Sequence, residues 1–127
     1  MSIKSFESEI RSFAKSSALD TDIVIRKIAL DLYNGITQKT PVDTGRAKGN
    51  WNISVSRKDE TINDNATSTS FGNKGTPKYT VKKGDGLRDI YITNSLPYIY
   101  ALEGGHSGQA PSGMVELTIN EVRTMFL

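Results

Sequence analysis

This chain predicts a single α+β domain: a small antiparallel sheet packed against N-terminal helices and a C-terminal helix, with a long flexible hairpin. Three observations carry that expectation. Two long stretches before Pro41 repeat apolar residues at helical spacing, and the same spacing returns at the end of the chain. Two short stretches alternate apolar and polar residues, as half-buried strands do. Between those two lies a polar, glycine-containing run with few large apolar residues.

Ile3, Phe6, Ile10 and Phe13 recur three to four residues apart, which gives a first amphipathic helix. A second is expected from about Thr21 to Gln38, with Asp20 placed to accept from the free N–H groups of its first turn. At about 100° per residue, Val24, Ile25, Ile28, Ala29, Leu32 and Ile36 share one of its faces. Ile23 and Leu30 fall on the other face, beside Arg26 and Lys27. Isolated surface hydrophobes are ordinary, and that reading is preferred to contact with a neighbouring subunit. Pro41 ends the helix, because proline disfavours helical backbone in the residue before it.

Trp51, Ile53 and Val55 alternate with polar residues, so a strand follows, with Trp51 as a core anchor for the sheet. From Lys58 to Arg88 the composition turns to Asn, Ser, Thr, Gly and Lys, which reads as a long loop or flexible hairpin. Tyr79 and Val81 mark a short strand within it, and loops of this length are usually functional or disordered. Ile90 and Ile92 open a second strand that runs up to Asn94. Tyr98, Ala101 and Leu102 predict a short helical turn closed by Gly104 and Gly105. Pro111 suits the first turn of a last helix, on which Val115, Ile119, Val122 and Phe126 share a face. Tyr98 and Tyr100 lie two apart, so one is expected in the core and the other at an interface, where tyrosine is favoured.

Composition narrows the chemistry. There is no cysteine, which removes disulfides, thiolate nucleophiles and cysteine-type zinc sites. No apolar run approaches the ~18 residues of a membrane span, and the first residues lack an apolar signal core, so synthesis in the cytoplasm is expected. The glycosylation patterns at Asn52 and Asn65 are read as chance on the same ground. A net charge of +2, with acids and bases intermixed, does not by itself argue for nucleic-acid binding.

Four groups of residues invite a chemical reading. Asp43, Thr44 and Gly45 match the core triplet of aspartic proteases, in which two carboxylates brought together share a proton. A chain this short needs a symmetric dimer to supply the pair, so the alternative function is a small homodimeric aspartic-type hydrolase using Asp43. Arg46 and Lys48 weigh against it, standing where that family has small and apolar residues, and the second apolar-apolar-glycine element is missing. The local reading is better: Asp43 caps a turn, Gly45 supplies permissive backbone, and Arg46 faces outward.

Glu103 and His106 have the spacing of a carboxylate–histidine metal pair. Two glycines separate them and His106 is the single histidine, so Glu103 is read as the end of a helical turn and His106 as a polar loop residue. No metal and no cofactor is expected. Gly72, Gly75, Gly84 and Gly86 lack the strand and helix context of a phosphate-binding loop. Lys74, Lys78, Lys82 and Lys83 are read first as solvated surface. In a ring of subunits they would instead line a channel that passes DNA, through non-specific phosphate attraction.

Three motifs in order carry a family resemblance: P-V-D-T-G-R-A-K-G-N-W after the long helix, T-N-S-L-P-Y-I-Y-A-L-E-G-G-H-S, and Q-A-P-S-G-M-V opening the last helix. In these the chain resembles the tail-completion, or neck, proteins of long-tailed bacteriophages, over about a quarter of its length. The resemblance implies an α+β subunit that forms a ring at the head–tail junction of a virion assembled in the host cytoplasm, with no enzymatic role. It implies further copies of the chain, tail tube or terminator proteins and head-completion proteins as partners, with DNA passing and no membrane. Within that picture Asp43, Gly45, Gly104 and Gly105 shape turns, while Arg46, Tyr98, Tyr100, Glu103 and His106 sit near a subunit or partner contact. The loop between residues 58 and 88 is the least family-like part.

Overall fold

The computed structural model describes residues 3–16, 20–40, 45–67, 82–103 and 113–126. Helix α1 (Ile3–Ser16) turns Phe6, Ile10 and Ala14 inward. Helix α2 (Thr21–Lys39) starts where the sequence expects, because the Asp20 carboxylate accepts from the N–H of Asp22 at 2.9 Å and of Ile23 at 3.4 Å. It ends at Lys39, and Thr40 takes the extended backbone (φ −69°, ψ 131°) that a following proline requires.

The expected face of α2 is the buried one: Val24, Ile28, Ala29 and Ile36 are buried and Ile25 and Leu32 are half-buried. Ile23 is exposed, as read. Leu30 differs, packing half-buried against the core. The reason is Tyr33, 1% exposed, which widens the apolar face of α2 on that side.

Strands β1 (Asn52–Val55) and β2 (Ile90–Thr93) pair antiparallel, with Ile53 opposite Ile92 and Val55 opposite Ile90. Alternation sends these four side chains toward the helices and puts Asn52, Ser54, Tyr91 and Thr93 on the other face. Among the described residues the sheet has these two strands, and a strand pair is marginal in water unless it packs against other elements. Ala29, Tyr33, Ile36, Trp51, Ile53, Ile99 and Met114 form one core between the sheet, α2 and the last two helices. Phe6, Ile10, Ala14, Val24, Ile28 and Val122 form a second where α1 and the last helix meet α2.

Polar links run through the first core. The Tyr33 hydroxyl donates to the Trp51 carbonyl at 2.7 Å, and the Trp51 indole N–H donates to the Thr40 hydroxyl at 2.8 Å. Thr40 in turn donates to the Ile36 carbonyl at 2.7 Å. These buried groups are therefore satisfied, and together they tie the end of α2 to the start of β1 with Trp51 as the anchor.

Helix α3 (Ile99–Glu103) is the short turn expected after β2, and α4 (Met114–Phe126) closes the fold. On α4, Val122 is buried and Val115, Ile119 and Phe126 are half-buried, so the predicted face is the inner one. The described part of this helix begins at Met114, and Pro111 lies outside the described residues. Gly113 holds left-handed backbone at φ +81°, which breaks helical geometry just before Met114. No helix among the described residues is long and apolar enough to cross a membrane. Tyr79 and Val81, expected as a short strand, also lie outside the described residues.

Candidate assembly surface

Two of the stretches singled out in the sequence are brought together. Gly45 has φ +78°, the permissive geometry read for it, and its carbonyl accepts from the Gly49 N–H at 2.9 Å. The short 3-10 helix Lys48–Asn50 follows and delivers the chain to Trp51. From the far end of β2, the Asn94 amide donates to the Ala47 carbonyl at 2.9 Å. Asn94 also accepts from the Leu96 N–H at 3.2 Å, which turns the chain out of the sheet toward α3. One asparagine thus locks the turn that carries Arg46 to the segment that carries Tyr98 and Tyr100.

Both tyrosines face outward, at 39% and 87% exposure. The expectation that one would enter the core is corrected by the helical spacing of this segment. Leu96 and Ile99 are buried and Leu102 half-buried, three apart, and the residues between them turn away. The Tyr98 carbonyl accepts from Ala101 and Leu102, which holds that turn. Beside it, an open groove of about 700 Å³ runs between β2, α3 and the start of α4, with Tyr91, Pro97, Tyr100 and Glu103 along it.

Arg46 is half-buried, and its Nη2 lies 2.6 Å from the exposed Asp64 carboxylate. Glu103 has an intramolecular task. Its two carboxylate oxygens accept from the Val115 N–H at 2.9 Å and the Glu116 N–H at 3.1 Å, capping α4 from the end of α3. Gly113 permits this approach, since a Cβ there would stand 2.5 Å from the Glu103 carbonyl oxygen. Lys82 and Lys83 are exposed. Asp43, Lys74, Lys78, Gly104, Gly105 and His106 lie outside the described residues.

The ends of the long connection are held by residues the sequence reading passed over. Asn50 and Asn52, 1% and 2% exposed, stitch the chain leaving β1. The Asn52 amide donates to the carbonyls of Asp59 at 3.1 Å and Thr61 at 2.9 Å, so it is engaged within the fold. Asn50 donates to the Asn63 carbonyl at 3.0 Å and accepts from the Asn63 N–H at 2.7 Å. The Thr93 hydroxyl also donates to the Asp59 carbonyl.

At the other end the anchor is Asp22 in the first turn of α2. Its carboxylate accepts from the N–H of Gly84 at 2.8 Å and Gly86 at 2.6 Å, and Arg26 Nε lies at 3.1 Å. The Gly84 N–H holds this carboxyl below the usual carboxylate range, with the Gly86 N–H and Arg26 adding to the effect against the opposing cost of burial. Of the glycines considered for phosphate binding, Gly84 and Gly86 do present N–H groups to an anion, and the anion is internal, while Gly72 and Gly75 lie outside the described residues. A signal was available in Gly84-Asp85-Gly86, where permissive backbone can aim successive N–H groups one way.

Among the described residues no cluster of His, Asp or Glu could hold a metal ion. The described polar side chains at this surface shape the backbone: Asn94 joins two turns and Glu103 caps a helix. No protein-family profile, curated protein or solved structure matches this chain.

Proposed function

We propose that this chain is a structural subunit of the tail-completion type, which forms a ring with copies of itself at the head–tail junction of a phage virion and performs no catalysis. The observation behind the reading is the Asn94–Ala47 hydrogen bond, which unites the Arg46 turn with the outward-facing Tyr98 and Tyr100. Tyrosine and arginine are enriched at protein contacts because they bury large area while keeping a polar end satisfied. Supporting it further, Glu103 holds a helix start in place, so that part of the surface is shaped for docking. Neighbouring subunits, tail tube or terminator proteins and head-completion proteins are the partners, and exposed Lys82 and Lys83 would face DNA in transit.

Light scattering across a concentration series tests this. A defined ring, or a monomer that assembles on addition of tail components, supports the reading. A stable dimer whose pepstatin-sensitive peptide cleavage disappears in Asp43→Asn would replace it with the hydrolase.

A further inference from the structure

Among the described residues, the outer edge of β2 is without a neighbouring strand. Ser56 donates its N–H to the Asp89 carbonyl at 2.8 Å, which sets the phase of the ladder. In this register the pairs that exchange hydrogen bonds are Ser54 with Tyr91 and Asn52 with Thr93. The N–H and C=O groups of Ile90 and Ile92 therefore point away from β1, and no hydrogen bond joins them to a described residue on that side. Sheets commonly blunt such an edge by keeping the strand short or with proline, a bulge or an inward charge; Ile90-Tyr91-Ile92-Thr93 is short but carries none of the other three.

What lies beside the edge gives it chemistry. A groove of about 500 Å³ separates β2 from α1 and α2, floored by Ile25, Leu32, Ile90 and Ile92. Its exposed rim carries the cationic Lys58 and Arg88 beside Asp89. Backbone groups at a two-residue interval, an apolar floor and a cationic rim are what an added strand meets: hydrogen bonds for its main chain, room for alternate side chains, and attraction for acids.

We propose that the outer edge of β2 receives an extended segment of a partner protein, whose alternate apolar side chains enter this groove and whose flanking residues are acidic. The inference deepens the assembly reading and rests on it, naming the chemistry of one partner.

The test is amide hydrogen exchange and nitrogen-resolved NMR on the full chain, titrated with the capped peptide Asp-Val-Thr-Val-Thr-Val-Asp. Exchange at Ile90 and Ile92 should slow by about tenfold or more at saturation, while Tyr91 and Thr93, already bonded to β1, change little. Arg88→Glu, an exposed change that leaves the fold intact, should weaken this peptide by about tenfold and favour its Lys-flanked counterpart. Three results overturn the proposal: no protection of Ile90 and Ile92, equal binding of both peptides by both proteins, or edge amides already protected by a second copy of the chain. Solution mass of the same samples separates this from the assembly reading. A ring that ignores the peptide sinks the strand docking alone, and a chain that never assembles yet protects Ile90 and Ile92 sinks the ring alone.

Discussion

The carboxylate of Asp22 accepts from the N–H of Gly86 at 2.6 Å, across 64 positions of sequence. A Cβ at position 86 would stand 2.4 Å from the Asp22 carbonyl oxygen, so the approach needs glycine. The contact docks the short 3-10 helix Asp85–Leu87 onto the first turn of α2, and with it sets where the chain enters β2.

Asp22→Asn should free that junction. The amide keeps one oxygen acceptor, and its NH2 group faces a donor where the carboxylate had an acceptor. Faster amide exchange at Gly84 and Gly86 is the expected outcome, with the β1–β2 ladder less affected. A pH series adds a sign. The folded carboxyl lies below its ordinary value of 3.8, so between the two the unfolded chain binds more protons and stability falls as pH falls. The anchor is at full strength above that ordinary value and is lost as pH drops through the folded one. The Asn variant should show a flatter acid limb, and an identical limb in both proteins would rule the anchor out.

Tyr33 predicts the opposite limb. Burial pushes its hydroxyl up to about 12 from 10.0. Above pH 10 the unfolded chain loses this proton first, so stability is intact below that point and is lost as pH rises through the folded value. The full loss is on the order of 3 kcal/mol. Tyr33→Phe should remove this alkaline slope. At neutral pH it should cost about 1–3 kcal/mol, because the buried Trp51 carbonyl loses its donor. Chemical denaturation at neutral and alkaline pH measures both.

Glu103→Ala should lower stability by about 1 kcal/mol, the usual worth of a helix cap. Glu103→Gln, which keeps an acceptor for Val115, should cost less. Gly113→Ala should exceed both, since it strains a backbone at φ +81° and drives a methyl against the Glu103 carbonyl. Urea midpoints of the three variants give the order directly, and a neutral Glu103→Ala would remove the cap assignment.

These residues also mark where local reading of the chain stops. Asp20 and Thr40 bound α2 through partners within three residues, so its limits are visible in sequence. Ile53 and Ile92 sit opposite each other on the buried face, and two-residue alternation suffices to find them. Asp22 looks like one more acid in a first turn, because its glycine partners are 62 and 64 residues away. Glu103 was legible as the end of a turn, but its role as a cap depends on where α4 begins. The tyrosine pair misled through its period. Two-residue spacing separates faces on a strand, but around α3 the three-residue spacing of Leu96, Ile99 and Leu102 governs and leaves both rings outside.

Arg46 is the sharpest test of the assembly surface. Its pair with Asp64 joins one half-exposed and one well-exposed side chain, and such pairs contribute about 0–1 kcal/mol. Arg46→Glu should therefore weaken assembly more than folding, since it reverses the charge on the surface proposed for assembly. The oligomer, or the mixed assembly with tail components, should weaken by about tenfold or more, since one unfavourable charge at a contact costs at least as much as a tenfold step. Asp64→Ala is the control. It breaks the same ion pair without altering the arginine, so assembly should survive it. If both variants assemble as the parent does, Arg46 has no part in the contact. If both fail alike, the ion pair itself shapes the surface, and the arginine acts through Asp64 instead of through a neighbouring subunit.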